Sequence, residues 1–176
     1  EMEKTKNFGS SLIRDTLNKY DYEDPREKAF LKRLTEGTLE SLLTLDYVIN
    51  AYSKTPTNKM KPLIRSLLRL SVYQILYMDT VPDSAACNEA VRLAKKKGFE
   101  RLSGFVNGVL RTITRNKEEI LNSESAFWQE LQKNPVQALS VRYSVPEWMI
   151  SLWEAQYGEE KTEPMLESCL LYTSDA

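Results

Sequence analysis

Gly104, Gly108, Arg111 and Arg115 are separated by four, three and four positions. At 100° per residue a helix would bring them to one side, opposite Leu102, Phe105, Val106, Val109, Leu110 and Ile113. Two residues without side-chain bulk, followed a turn later by two guanidiniums, make a surface on which a phosphate backbone can lie close to the helix and still meet donors. The same spacing suits a neighbouring helix packed against the glycines with the arginines solvated, and the pattern alone leaves both open. Lys95, Lys96, Lys97 and Arg101, with Arg92 nearby, would widen such a basic surface. The three lysines also have a sufficient local reason, since cations oppose the negative end of a helix dipole.

Other chemistry is excluded by what the chain lacks. It contains no histidine, and its two cysteines, Cys87 and Cys169, stand far apart with no ligand-like spacing. Ser-His and Cys-His nucleophilic catalysis, histidine general-base catalysis and most zinc sites fall away. A lone cysteine is more often a small buried apolar residue than a nucleophile, so neither is assigned a role. No residue is assigned to catalysis, to a metal or to a cofactor.

The net charge of -1 conceals a strong asymmetry. Residues 1–53 carry 8 Lys+Arg against 10 Asp+Glu, residues 54–117 carry 13 against 4, and residues 118–176 carry 3 against 11. A basic middle third between acidic flanks is a sign of polyanion binding, because each cation beside a phosphate releases condensed counterions. A set of solvated helix faces accounts for the charge equally well.

The elements that would carry these residues read as helices throughout. Apolar residues recur at three- and four-residue intervals and no stretch alternates over strand length, so the expected class is all-α. The 176 residues suffice for a real core, and no apolar run approaches the length of a membrane span. The polar opening, Glu1 to Ser10, lacks the apolar centre of a secretory signal, and a cytoplasmic location is expected.

Helices are expected over Ser10–Lys19, from Pro25 to Thr35 with Gly37 ending or bending the second, and over Thr38–Ser53. The second should bury Ala29, Phe30, Leu31 and Leu34. A fourth, from Pro62 to Met78, is apolar over most of its circumference and should be central. Arg65 and Arg69 sit one turn apart on it and need an outlet, either an acidic neighbour such as Glu36 or Glu40 or RNA. A fifth helix, Ala85–Lys97, can be terminated by Gly98, and a sixth spans Glu100–Asn116. Asn88 and Asn107 are expected to bond inside the core, with Glu89 a possible partner, and Tyr73 and Tyr77 to pack rather than stack on bases. Residues Asn122–Pro135 read as an irregular connector, followed by helices over Pro146–Tyr157 and Glu159–Leu171, so the main boundary is placed near residue 120.

Four motifs on these helices resemble a known family. The run Leu68-Arg69-Leu70-Ser71-Val72-Tyr73-Gln74-Ile75-Leu76-Tyr77, then Val81-Pro82, Asn88-Glu89-Ala90-Val91 and Phe105-Val106-Asn107-Gly108-Val109-Leu110-Arg111 are similar to the helical domain shared by NusB antitermination factors and RsmB/Sun-type rRNA 5-methylcytosine methyltransferases. The resemblance covers about residues 8–117. It implies a NusB-like all-helical fold of two small bundles and an RNA-binding role, with Lys95, Lys96, Lys97, Arg101, Gly104, Gly108, Arg111 and Arg115 as the RNA-contacting candidates.

The tail favours the enzyme branch, since Tyr143-Ser144-Val145-Pro146-Glu147-Trp148, Leu152-Trp153 and Tyr157-Gly158 resemble the linker ahead of the methyltransferase domain. Residues 1–120 are then the RNA-binding domain and 121–176 the linker and the start of a truncated methyltransferase region. In that family the S-adenosylmethionine site and a catalytic Pro-Cys motif lie in the following domain. Cys87 follows Ala86 and Cys169 follows Ser168, so neither matches that motif. The ending Tyr172-Thr173-Ser174-Asp175-Ala176 departs from the family pattern and is expected to be foreign, and the start, without methionine, to be clipped. The alternative branch is a free-standing antitermination factor that binds RNA with a ribosomal protein.

Overall fold

The computed structural model describes residues 14–16, 18–19 and 24–174, with side chains as far as residue 169. The fold is all-α, and among the described residues there is no strand. Two compact units divide the chain, residues 1–40 and residues 41–176.

In the first unit, half of the helix expected over Ser10–Lys19 lies outside the described residues, and 14–16 and 18 are helical. Helix α1 spans Pro25–Glu40. Asp24 opens it, its carboxylate accepting from the Arg26 N–H at 2.8 Å, with Pro25 in the first turn where a missing N–H costs nothing. Gly37 does not end α1: it is buried inside the helix, between Leu34 and Thr38. The Thr38 hydroxyl bonds back to the Leu34 carbonyl at 2.6 Å, which lets a polar residue be buried there. Of the four residues expected to be buried, only Leu34 is; Leu31 is half-buried, and Ala29 and Phe30 are exposed.

The second unit holds helices α2 (Leu42–Tyr52), α3 (Pro62–Tyr77), α4 (Asp83–Lys96), α5 (Glu100–Arg115), α6 (Lys117–Leu121), α7 (Ala126–Gln132), α8 (Pro135–Tyr143), α9 (Glu147–Tyr157) and α10 (Glu159–Ser174), with one 3-10 turn at Thr57–Lys59. Helix α3 is central as expected. It buries Ile64, Leu67, Leu68, Ser71, Val72, Ile75 and Leu76 and packs against α2, α4 and α5. Leu68, Val72 and Ile75 are fully enclosed with Leu45, Val48 and Ile49 of α2, Ala94 of α4 and Val106, Leu110 and Ile113 of α5. Each large apolar side chain of this core stabilises the fold by about 1.5–3 kcal/mol relative to exposure.

Arg69 finds its outlet on α2. Its Nε and one terminal nitrogen fork onto the Asp46 carboxylate at 2.8 and 2.7 Å, and both side chains are largely enclosed. This bidentate pair makes Arg69 a clamp between α3 and α2.

Residues beyond 120 close over α2. Phe127 and Trp128 of α7 stack on Tyr52 and Tyr47, with ring centroids 5.7 and 5.4 Å apart, and the Trp128 indole N–H donates to the Ile120 carbonyl at 2.9 Å. The start of α2 has no side-chain cap from Ser41. Ser144 supplies one: the Leu43 N–H donates to its Oγ at 2.8 Å, while the Thr44 hydroxyl donates to the Val141 carbonyl. Ser144 holds this position in a left-handed conformation, φ 55°, at the C-terminus of α8. A smaller core of Tyr143, Ile150 and Leu166, with Val136, Leu139, Val145 and Trp153 against it, joins α8, α9 and α10.

Candidate nucleic-acid interface

The basic residues are displayed by an antiparallel pair, α4 and α5, joined through Lys97, Gly98 and Phe99. The Phe99 N–H bonds the Ala94 carbonyl at 2.8 Å and the Gly98 N–H bonds the Lys95 carbonyl at 3.0 Å, with Gly98 at φ 81°. That is a Schellman ending, and it requires glycine because a side chain in the left-handed region clashes with its own carbonyl. The sharp stop leaves Lys95, Lys96 and Lys97 together where α5 begins with Arg101.

Helix α5 is strongly two-sided. Ser103, Val106, Val109, Leu110 and Ile113 are buried, while Arg101, Gly104, Gly108, Arg111 and Arg115 are all exposed. At 1.5 Å per residue the exposed stripe is about 21 Å long. The glycines resolve the ambiguity left by their spacing: a Cβ built at Gly104 or Gly108 meets nothing within 4 Å. Among the described residues no helix packs there, and the track is open.

All eight candidate residues, Lys95, Lys96, Lys97, Arg101, Gly104, Gly108, Arg111 and Arg115, are therefore exposed on one helical hairpin. Among the described residues none of the six cations forms an ion pair, in contrast to Arg69 with Asp46, Arg92 with Glu89 and Lys117 with Asp83. The acidic C-terminal helices do not cover them, since α9 and α10 pack on α8 and on each other. Arg111 and Arg115 are oriented through their inner nitrogens alone. Arg111 Nε donates to Asn107 Oδ1 at 3.1 Å, and Arg115 Nε donates to the Arg111 carbonyl at 3.2 Å. Both guanidiniums keep their outer N–H groups for another acceptor.

Asn107 and Asn88 differ from expectation. Asn107 is half-buried and holds Arg111, four residues on, and Asn88 is exposed. Glu89 serves Arg92 instead, at 2.6 and 2.8 Å, and this contact holds the Glu89 carboxyl below its ordinary range. Tyr73 packs against the core and touches Tyr77, whose ring is partly exposed. At the far end of the stripe Arg111, Thr114 and Arg115 of α5 face Asp83, Ser84 and Cys87 of α4 across a cleft of about 390 Å³. The sequence reading missed this cleft.

Fold and site together define a helical domain with an exposed basic stripe on one hairpin. The chain belongs to the NusB family, whose model matches residues 1–115. It is 35% identical over 163 residues to the probable ribosomal RNA small subunit methyltransferase B of Bacillus subtilis, covering 93% of this chain and 34% of that protein. It is 30% identical over 135 residues to the ribosomal RNA small subunit methyltransferase B of Escherichia coli, covering 77% of this chain and 28% of that protein. It is also 36% identical over 108 residues to the transcription antitermination protein NusB of Thermodesulfovibrio yellowstonii, covering 61% of this chain and 70% of that protein. The chain thus spans about a third of the length of the methyltransferases that it matches. Among the described residues no helix is long and apolar enough to cross a membrane.

Proposed function

We propose that residues 1–120 are an RNA-binding domain that positions rRNA for an S-adenosylmethionine-dependent cytosine-5 methyltransferase domain carried by the same polypeptide, with residues 121–176 leading toward it. The observation that carries the RNA contact is the exposed stripe of Lys95, Lys96, Lys97, Arg101, Arg111 and Arg115 around the open Gly104–Gly108 track. Cations set on a rigid hairpin grip phosphates and fix register, while discrimination of the target base is left to the catalytic pocket. This chain contributes no catalytic residue and no cofactor ligand to that scheme, and the site of action is the cytoplasm.

The choice of the methyltransferase branch is supported by alignment length. A match of 163 residues necessarily runs past residue 120, whereas the match to the Thermodesulfovibrio yellowstonii NusB covers 108. A second reading, a free-standing antitermination factor binding RNA with a ribosomal protein, is favoured by the 70% coverage of that NusB.

The test is a filter-binding titration of the chain against rRNA at two salt concentrations. A steep loss of affinity with salt is expected, and salt-independent or absent binding refutes the RNA role. Sequencing downstream of codon 176 separates the branches: a fused S-adenosylmethionine domain is expected, and an immediate stop favours the second reading.

A further inference from the structure

We propose that the cleft between the start of α4 and the end of α5 seats one unpaired nucleotide of the bound RNA, its phosphate forked by Arg111 and Arg115. This deepens the RNA-binding reading and rests on it. The cleft is lined by Asp83, Ser84, Cys87, Arg111, Thr114 and Arg115 and holds about 390 Å³, within the range of small-ligand pockets. It terminates the 21 Å basic stripe rather than standing apart from it.

Three features suit a nucleotide. First, both guanidiniums are pre-oriented by their inner nitrogens and present their outer ones, which matches the two oxygens of a phosphodiester. Second, the one carboxylate in the cleft is already matched, because the Lys117 ammonium lies 3.2 Å from Asp83 Oδ1. Third, the remaining lining offers hydroxyls: Ser84 is exposed at the rim, and Thr114 is half-buried with its Oγ1 3.8 Å from the buried Cys87 Sγ. Hydroxyls of this kind serve a ribose 2′-OH or a base edge. A base still paired in a duplex cannot enter such a concavity, so the seated nucleotide is single-stranded or turned out.

The decisive variant fills the cleft without altering charge. Ser84→Trp places an indole at an exposed rim position, and Arg111→Lys keeps the charge while removing the fork. The probes are a fluorescein-labelled oligoribonucleotide of about eight nucleotides, a little longer than the six that a 21 Å stripe spans at 3.4 Å per nucleotide, and the same strand annealed to its complement. Anisotropy titration is expected to show Kd for the single strand raised about tenfold by Ser84→Trp and several-fold by Arg111→Lys, with duplex affinity and the far-UV melting curve unchanged. Wild-type affinity of both variants for the single strand overturns the cleft assignment while leaving the RNA-binding reading intact. Equal loss for strand and duplex also overturns it. Failure of the wild-type chain to bind either probe removes the underlying reading itself.

Discussion

Replacing Arg111 and Arg115 together by alanine should change the salt dependence of RNA binding by a calculable amount. Six exposed cations line the stripe, and each phosphate neutralised on a single strand contributes about 0.7 to the slope of log affinity against log salt. Full engagement gives a slope near −4.2, so a fourfold rise from about 50 to 200 mM salt weakens binding roughly 300-fold. The double variant retains four cations, which lowers the slope to about −2.8 and the loss to about 50-fold. Both side chains are exposed and hydrogen-bond within their own helix, so stability should stay within about 0.5 kcal/mol of wild type. Anisotropy titrations of a labelled single-stranded RNA at five salt concentrations, with parallel thermal melts, measure both quantities. An unchanged slope with a normal melt would refute the assignment of these arginines to phosphate contacts.

Other perturbations test the scaffold and the track separately. Gly104→Ala and Gly108→Ala should each stabilise the chain by about 0.8–1 kcal/mol in urea titrations, because alanine is the better helix former and its methyl group meets only solvent, yet both should weaken RNA binding; a gain in stability with unaltered affinity argues that nothing lies close to the track. Gly98→Ala should cost about 1–2 kcal/mol in the same assay, since the Schellman ending fixes φ at 81°. Asp46→Ala removes the forked acceptor of the Arg69 guanidinium and should cost about 2 kcal/mol, checked against Asp46→Asn, which keeps part of the hydrogen bonding. Tyr143 donates its hydroxyl to Glu163 and Glu167, and burial together with those carboxylates pushes its pKa up to about 12. The folded pKa exceeds the unfolded value of about 10, so this contribution is complete below pH 10 and fades as pH climbs toward 12. Tyr143→Phe should flatten that alkaline loss in pH-dependent denaturation curves.

The long amphipathic helices were legible in the sequence to within about two residues, because enough turns repeat the pattern for α3, α4 and α5 to declare both face and ends. Gly98 was legible as a terminator and Gly37 misled. A glycine inside a helix costs about 1 kcal/mol, and burial of Leu34 and Thr38 on either side offsets it. Of the short helices, α7 was read as connector and α6 and α8 were not read as elements, since five to nine residues do not establish a period. One signal was present and underused: Asn134 before Pro135 is a cap followed by a first-turn proline, and the Asn134 side chain does accept from the Gln137 N–H at 3.2 Å. The candidate interface was legible as a set of charges and glycines on one helix face. Its cleft was not, because it depends on how α4 and α5 align, which neither helix encodes by itself. The pairing of Arg69 with Asp46 and the capping of α2 by Ser144 were equally hidden, being long-range choices among several possible partners.

The bonds between α2 and α8 bear on how force travels through the molecule. The Leu43 amide, the Thr44 hydroxyl and the rings of Tyr47 and Tyr52 are all engaged by residues at least 75 positions later in the chain. A pull or twist applied beyond Tyr157 therefore reaches α2 through this clasp and is not taken up as slack between two loosely strung bodies. Anything attached at that end would move as a lever fixed to the bundle, and its reach over a bound RNA would be set by geometry rather than by diffusion on a tether.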